Sequence, residues 1–207
     1  MKLGAILVGL VVARCMQGET GEDAPHNVIV CLQGVRDSRA NDAAKSASKL
    51  FADMGVTSQW RTHGCPAAPG VIFVTFSFET RASDHPGALA FAQPFDGTKI
   101  VVFFDRIQAR VVDMYSRPAA DLNFAIARVL TYVLAHEVAH ILQRLSRHSS
   151  VGIMKERWST ADFYTMVYRS LAFTPDDTDR IQRGLKSLHS TQIGSPLASI
   201  LIDPRNR

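Results

Sequence analysis

Short runs of apolar residues, separated by polar residues, glycine and proline, cover the first half of the chain. Five of these runs are rich in β-branched or aromatic residues and have the length of strands. The third is long and unbroken, which favours a central position in a sheet. The fourth is weak and stopped by Pro94, which suits an edge. The predicted strands cover residues 27–32, 57–62, 71–78, 88–93 and 99–104.

Four segments instead repeat apolar residues at the spacing of a helix. The first, over about 39–54, has Asp37 or Ser38 as its N-cap and ends at Gly55. The second, over about 118–145, is apolar on nearly every side, and such a helix is buried inside a domain. Two shorter helices follow over about 160–171 and 175–188, with N-caps at Ser159 or Thr160 and at Thr174.

Strands that lead into a long buried helix are typical of an α+β domain. We therefore predict a mixed, twisted sheet with helices packed on it, one of them the buried helix. The length of 207 residues is enough for one good-sized core, and we assign residues 25–190 to a single domain. Residues 191–207 show no clear periodicity and are predicted to form a loosely attached tail.

The first residues have the pattern of an export signal. Lys2 supplies a positive charge, the run Leu3–Ala13 is apolar, and polar residues follow. We predict that residues 1–24 are a signal peptide with a short N-terminal segment, which places the mature protein in the periplasm or outside the cell. A lipid anchor at Cys15 is disfavoured because Arg14 precedes it. A buried N-terminal strand is the alternative interpretation.

Three cysteines occur in the chain, and Cys15 lies at or near the segment that a signal peptidase would remove. Cys31 and Cys65 would then remain as a pair in an oxidising compartment, where a disulfide is their natural use. Two thiols that never meet are the alternative.

The composition is that of an ordinary globular protein, with 46% apolar and 20% charged residues. The formal net charge is +4, but lysine and arginine are scattered along the chain and do not form blocks. This distribution indicates a solvated basic surface and does not imply a nucleic-acid partner. The apolar N-terminal run is too short to span a bilayer, so no stable membrane span is predicted.

The pattern His-Glu-x-x-His lies inside the long apolar helix, as His136, Glu137 and His140. Residues four apart lie on one face of a helix, so both imidazoles can bind one metal ion, and Glu137 can hold a water on that ion. Burying these three polar side chains without partners would cost roughly several kcal/mol. Metal coordination would supply the partners, since catalytic zinc takes three protein ligands and leaves a fourth position for water or substrate.

His148 is the best candidate for the third ligand, with seven residues between it and His140. On a straight helix it would lie out of reach, about 12 Å further along the axis. The chain must therefore turn back around Ser146 and Arg147. A solvated loop histidine is the alternative, and Glu156 would then be the third ligand, in the manner of zinc peptidases with a downstream glutamate.

These residues and those that follow resemble the metzincin clan of zinc endopeptidases. In that clan a third histidine follows the active-site helix, and a methionine lies in a tight turn beneath the metal. This chain has His148 followed by Ser149, and then Gly152-Ile-Met154. The usual metzincin spacing between the second and third histidines is five residues, with a glycine where this chain has Gln143.

The longer spacing is similar to that of a group of predicted secreted zinc peptidases of bacteria, in which His-Ser-x-x-Gly-Ile-Met-x-x-x-Trp follows the helix. The resemblance covers roughly residues 27–190. Further agreement lies at Phe51-Ala-Asp-Met-Gly-Val56, Trp60, Cys65, Val102-Phe-Phe-Asp-Arg106 and Phe173-Thr-Pro175.

The resemblance implies a zincin fold and a Zn²⁺ ion held by His136, His140 and His148. It also implies Glu137 as the general base for a zinc-activated water, with a peptide or protein as the substrate. Met154 would form the floor of the site, and ordinary core packing is the alternative for this residue.

Two classes of function follow, a secreted zinc endopeptidase and a zinc-binding module without turnover that serves in binding or structure. Glu137 favours the first, because a structural zinc needs no general base and fills its fourth position with cysteine or histidine. Tyr164 and Tyr168 are candidates for stabilising an oxyanion, although core packing is the favoured interpretation. Surface positions are predicted for the remaining histidines, His26, His63, His85 and His189.

Overall fold

The computed structural model describes residues 26–35, 37–95, 97–115 and 119–193. The predicted signal segment 1–24, including Cys15, and residues 194–207 of the predicted tail lie outside them. In chain order the elements are β1 (His26–Gln33), α1 (Ser38–Ala52), β2 (Val56–Arg61), β3 (Ile72–Ser77), β4 (Ala90–Ala92), β5 (Lys99–Phe103), α2 (Phe104–Met114), α3 (Ala119–Gln143), α4 (Thr160–Tyr168) and α5 (Pro175–Ile193).

The strands form one five-stranded sheet with the order β2-β1-β3-β5-β4. β1 pairs in parallel with β2 and β3, and β3 pairs in parallel with β5, whereas β4 runs antiparallel to β5. The mixed sheet, the central position of the third strand and the edge position of the fourth are as predicted. Antiparallel pairing is confined to the short edge strand Ala90–Ala92, so the rest of the sheet is parallel.

α1 connects β1 to the parallel strand β2, as a β-α-β unit does. Its N-cap is Asp37, whose carboxylate accepts a hydrogen bond from the Arg39 amide at 2.9 Å. Ala43, Ala47 and Phe51 are fully buried on one side of the helix, which packs against α3 and β2. The first predicted helix is therefore confirmed, together with one of its two candidate caps.

α3 is the centre of the core. It contacts each of the other four helices as well as β4 and β5. Every residue from 129 to 143 is buried, which explains why this segment is apolar on nearly every side. The stretch Asp121–Gln143 is long and apolar enough to cross a membrane, but 89% of its most apolar window is buried inside the protein, as in the core helix of a globular domain.

α2 corrects the sequence prediction, because the apolar pattern predicts no helix between residues 104 and 118. The helix begins at Phe104, directly after β5, without a glycine or proline between the two elements. Its buried residues Phe104, Ile107 and Val111 form a narrow stripe at helical spacing. Its first residue, Phe104, directly continues the apolar run of β5. The sequence pattern therefore does not show where the strand ends and the helix begins.

Cys31 and Cys65 are joined by a disulfide bond. Cys31 is a fully buried residue of β1, and Cys65 lies in the loop after β2. Their Cα atoms are 5.9 Å apart, and the two residues are separated by 34 positions in the sequence. The bond ties the loop that follows an outer strand to the neighbouring strand β1.

Candidate metal centre

Three histidine side chains meet at one point beside the sheet. His136 and His140 lie one turn apart on α3, and His148 comes from the segment after that helix. The Nε2 atom of His140 is 3.0 Å from that of His136 and 3.2 Å from that of His148. Nitrogen ligands at the usual zinc–nitrogen distance in a tetrahedral site are about 3.3 Å apart. The three nitrogens are therefore spaced for one Zn²⁺ ion.

Backbone carbonyls set the orientation of the two helix histidines. The Nδ1 atom of His136 lies 2.8 Å from the Ile153 oxygen, and that of His140 lies 2.8 Å from the Leu145 oxygen. A carbonyl oxygen only accepts hydrogen bonds, so Nδ1 carries the proton in both rings, and both Nε2 atoms present lone pairs. Two lone pairs 3.0 Å apart repel one another, whereas a cation bound by both nitrogens would be attracted to each of them.

Both helix histidines are held in the neutral form. Burial lowers the pKa of His136 to about 3, and the neighbouring imidazoles of His140 and His148 act in the same direction. Burial also lowers the pKa of His140 to about 4. Neutral imidazole is the form that binds a metal ion, so the donor set matches the chemistry of zinc.

The segment between His140 and His148 turns back at the end of the helix. α3 ends one residue before Arg144, which adopts a left-handed conformation with φ of 53°. The Leu145 amide then donates to the His140 carbonyl at 3.4 Å, in the manner of a helix-terminating turn. A residue with a long side chain seldom adopts this conformation. The turn thus begins at Arg144, earlier than the predicted Ser146–Arg147, and it needs no glycine.

A buried carboxylate anchors the residue after the third histidine. The Ser149 hydroxyl donates to the Asp177 carboxylate at 2.5 Å. Asp177 is 1% exposed and also accepts from the amide and hydroxyl of Thr174 at 2.9 and 2.7 Å. Thr174 and Asp177 form the capping box of α5, because the Asp177 amide donates back to the Thr174 hydroxyl at 3.2 Å. The sequence predicts this N-cap, but contains no signal for its contact with Ser149.

A tight turn follows the histidines. The Ser149 amide donates to the Met154 carbonyl at 2.7 Å, and the intervening Gly152 has φ of 77°. A Cβ atom at Gly152 would lie 2.5 Å from the Ala172 carbonyl oxygen, so glycine is required there for both its conformation and its size. Met154 is fully buried. The neighbouring Ile153 supplies the carbonyl that orients a histidine of the helix.

Glu137 faces the edge of the sheet. It is 8% exposed, and burial raises its pKa to about 8, although a hydrogen bond from the Ala92 amide of β4 acts in the opposite direction. The Leu89 carbonyl and the Gln93 amide bond to β5. Backbone groups alternate in direction along a strand, so those of Ala90 and Ala92 point to the opposite edge of β4. The free edge of β4 is therefore the edge that faces Glu137.

These groups open into a cleft of about 490 Å³. Its lining includes residues Gly87–Ala90 and Glu156–Trp158, together with His136, Glu137 and His148. A larger groove of about 710 Å³ lies between α1 and α3, but it contains none of these groups. The candidate metal ligands and Glu137 therefore border the smaller cleft, below the free edge of the sheet.

Other candidates lie outside the cluster. Glu156 is exposed and lines the cleft, but within the described residues the cluster consists of three histidines. Tyr164 and Tyr168 are 43% and 55% exposed, and both pack against Tyr115. They do not line the cleft. Core packing is the wrong interpretation for both side chains, because both are exposed. His63 and His85 are exposed, as predicted, whereas the side chains of His26 and His189 lie outside the described part of the structure.

Comparison with known proteins identifies the fold. No protein-family model and no curated protein matches the sequence. Among solved structures, the chain is similar to archaemetzincin from Methanopyrus kandleri, with a TM-score of 0.50 and 16% identity, over 78% of this chain and 97% of that chain. It is also similar to a zinc-dependent peptidase from Methanocorpusculum labreanum, with a TM-score of 0.50 and 12% identity, over 74% of this chain and 99% of that chain. The chain therefore has the fold of zinc peptidases, and the cluster of His136, His140 and His148 fits Zn²⁺ binding.

Proposed function

We propose that this protein is an exported, zinc-dependent endopeptidase of the metzincin type. One observation carries the proposal: three Nε2 atoms suited to a metal, the Glu137 carboxyl and the free edge of β4 meet in one cleft. A structural zinc would have a fourth protein ligand, whereas catalytic zinc has three and an open position. In the described residues the cluster has three histidines and borders the cleft, which supports a catalytic site.

In this proposal His136, His140 and His148 hold the ion. When bound, zinc lowers the pKa of a water molecule and polarises the scissile carbonyl. The Ile153 and Leu145 carbonyls keep the two helix imidazoles in the tautomer whose Nε2 faces the cleft, and such outer hydrogen bonds increase the basicity of the ligands.

Glu137 is the proposed general base. It takes the proton of the attacking water and passes it to the leaving amine. Burial favours the protonated carboxyl, with a pKa of about 8, which supports the donation of the proton in the second half of that task. A nearby cation favours the carboxylate form, which supports the first half. The Ala92 amide holds the carboxyl on the side of the cleft where β4 lies.

The free edge of β4 is the proposed site for the substrate backbone. Within the described residues β4 pairs only with β5. Of its two residues with outward backbone groups, Ala90 lines the cleft, and the Ala92 amide bonds to Glu137. An extended peptide can add to such an edge as a further strand. Backbone pairing of this kind would place a scissile carbonyl beside Glu137 and His136, whatever the side chains of the substrate.

We further propose that Met154 forms the floor of the site in a Met-turn. The support is its complete burial in the tight turn that contains Gly152, together with the Ile153 carbonyl that orients His136. The sequence Gly152-Ile-Met154 resembles the corresponding turn of metzincins.

Export is proposed from the signal-like pattern of residues 1–24. The disulfide between Cys31 and Cys65 supports it, because structural disulfides persist in oxidising compartments and are rare in the cytosol.

Digestion of a proteome-derived peptide library tests the activity. We expect the zinc-loaded protein to produce internal cleavages that a chelator abolishes and added zinc restores, as detected by mass spectrometry. Glu137→Gln is expected to keep its zinc and to lose activity by about 100-fold or more. Tight zinc binding without cleavage of any peptide would instead support a zinc-binding module.

The ligand set is tested by metal analysis. His148→Ala is expected to lose zinc, because two imidazoles alone leave the ion with fewer protein ligands than catalytic sites use. The matched control is His63→Ala, which removes an exposed imidazole outside the cluster and is expected to retain zinc. Full zinc occupancy in His148→Ala would remove this residue from the ligand set.

A further inference from the structure

The cleft contains two cationic side chains that the proposed hydrolytic residues do not explain. Arg110 of α2 and Arg157 of the segment before α4 both line it, together with two carboxyl groups, those of Glu156 and of the proposed base Glu137. Arg157 and Glu156 are exposed neighbours in the sequence, whereas Arg110 is half-buried. Arg110 is thus the cationic side chain whose position the fold restricts most.

One aromatic ring, that of Phe163, lies against the Arg110 guanidinium. The central carbon of the guanidinium lies 5.0 Å from the centre of the Phe163 ring. That ring is 6.2 Å from the Trp158 ring, which in turn is 5.2 Å from the ring of His136. A guanidinium stacked in this way keeps its edge N–H groups available as a planar fork, which matches the two oxygens of a carboxylate. The row of rings leads from this fork to a proposed zinc ligand.

The fork of Arg110 has no hydrogen-bond or ion-pair partner in the described part of the chain. Arg106, one turn earlier on the same helix, instead donates to four backbone carbonyls of the loop before β4. Arg128 of α3 likewise bonds to the carbonyls of Met166 and Arg169. Those two arginines hold the fold together, whereas the donors of Arg110 are left to a group that enters the cleft.

We propose that Arg110 binds a carboxylate of the peptide substrate and makes the enzyme selective for peptides that place a carboxylate at this position. The inference rests on the proposed peptidase function and names the substrate class of that site. The carboxylate belongs either to a glutamate or aspartate side chain near the scissile bond or to the C-terminus of the peptide. Arg157 adds positive charge to the same cleft, but it is exposed and the adjacent Glu156 offsets it, so the selectivity depends on Arg110.

Three peptides with the same core sequence separate the two sources. The first has an internal glutamate, placed in turn at each position near the scissile bond, and an amidated C-terminus. The second has glutamine in place of that glutamate, and the third has the glutamine with a free C-terminal carboxylate. We expect kcat/KM for the first or the third peptide to exceed that for the second by about tenfold or more, because a charge-assisted hydrogen bond is then formed.

Two variants and a control assign this preference to Arg110. In Arg110→Gln the ratio of acidic to neutral kcat/KM is expected to fall close to one. Arg110→Lys keeps the charge without the planar fork, and is expected to retain part of the preference. Arg183→Gln removes the same charge from an exposed position on α5, outside the cleft, and should keep the full preference. A wild-type protein without any acidic preference, or an Arg110→Gln variant that retains it, would overturn the proposal.

Peptide binding distinguishes a failure of this proposal from a failure of the peptidase proposal. Calorimetry on zinc-loaded Glu137→Gln, with and without Arg110→Gln, measures the acidic preference in the absence of cleavage. If the protein is not a peptidase, no peptide is cleaved, but the acidic peptide still binds more tightly through Arg110. If Arg110 has no such role, zinc-dependent cleavage of the neutral peptide persists, and neither binding nor cleavage favours the acidic one.

Discussion

The Ser149 hydroxyl donates a hydrogen bond to the Asp177 carboxylate at 2.5 Å, across 28 positions of the sequence. Ser149 directly follows the third histidine, and Asp177 is a buried residue of the first turn of α5. One carboxylate thus caps a helix through Thr174 and also holds the segment that brings His148 to the cluster.

We expect Ser149→Ala to weaken zinc binding by about tenfold, because residues that position metal ligands contribute this much to affinity. The substitution leaves the capping box of Thr174 and Asp177 intact, but it removes the donor to a buried carboxylate oxygen, so the free energy of unfolding should also fall by about 1–3 kcal/mol. A competition titration with a chromogenic chelator measures the affinity. Asp176→Asn changes an exposed neighbour on the same helix turn and serves as the control. Unchanged affinity in Ser149→Ala would show that His148 is positioned without this hydrogen bond.

Gly152→Ala is expected to destabilise the protein more than Gly64→Ala. Both glycines have positive φ, of 77° and 63°, so both variants incur about 1 kcal/mol of backbone strain. A Cβ atom at Gly152 also meets the Ala172 carbonyl oxygen, whereas one at Gly64 meets nothing within 4 Å. The overlap adds about 1–3 kcal/mol to the loss in free energy of unfolding.

Urea denaturation of the two glycine variants gives this difference directly. Gly152→Ala should also weaken zinc binding, because the displaced turn carries the Ile153 carbonyl that orients His136. Equal losses of stability in the two variants would mean that the turn shifts away from Ala172 without cost.

Arg144→Gly is expected to stabilise the protein by about 0.5 kcal/mol. The left-handed backbone at Arg144 is strained for a residue with a Cβ atom, and the relief exceeds the entropic cost of glycine. Arg147→Gly removes the same charge three residues later without such relief, and should lower the free energy of unfolding by about 0.5–1 kcal/mol. Thermal denaturation of both variants should thus show shifts of opposite sign, and a loss in both would contradict the strain at Arg144.

A pH dependence of stability is expected from Asp162. Burial opposes ionisation of this carboxyl, but hydrogen bonds from the Lys155 ammonium and from Ser159 outweigh it and lower its pKa below the ordinary value of 3.8. A lowered pKa in the folded state means that the contribution is complete above 3.8 and is lost as the pH falls through the folded-state value.

The comparison of wild type with Asp162→Asn measures this contribution. At neutral pH the variant should be less stable by about 1 kcal/mol, because it loses an ion pair and the capping box at Ser159. The difference in free energy of unfolding should shrink at about pH 3. A difference that is the same at both pH values would show that the charge of Asp162 does not contribute.

The sheet and the two clustered histidines of the helix were predictable because their signals are local. Each strand is marked by its own apolar run, and the weakness of the run at Ala90–Ala92 correctly indicates an edge. The spacing of His136 and His140 places both on one face of any helix, whatever the rest of the fold. The run around them is so apolar that burial follows directly.

The features that were not predictable depend on contacts between distant segments. Asp177 has the pattern of a helix cap, and nothing in its neighbourhood indicates Ser149. The turn at Arg144 is equally hidden, because arginine is not a turn signal and seldom adopts the left-handed conformation found there. The contact between the Ala92 amide and Glu137 requires the position of β4 on α3, which only the folded chain defines.

The carbonyls of Ile153 and Leu145 hold the helix imidazoles in place through bonds that do not involve the ion. We therefore expect these two imidazoles to keep their positions when zinc is removed, unlike the ligands of a zinc finger, whose chain unfolds without the metal. We then expect that zinc can be exchanged, in the folded protein, for another ion that prefers the same coordination geometry. Cobalt(II), which accepts nitrogen ligands of this kind, would then convert the centre into a coloured reporter whose visible spectrum changes when a peptide enters the cleft.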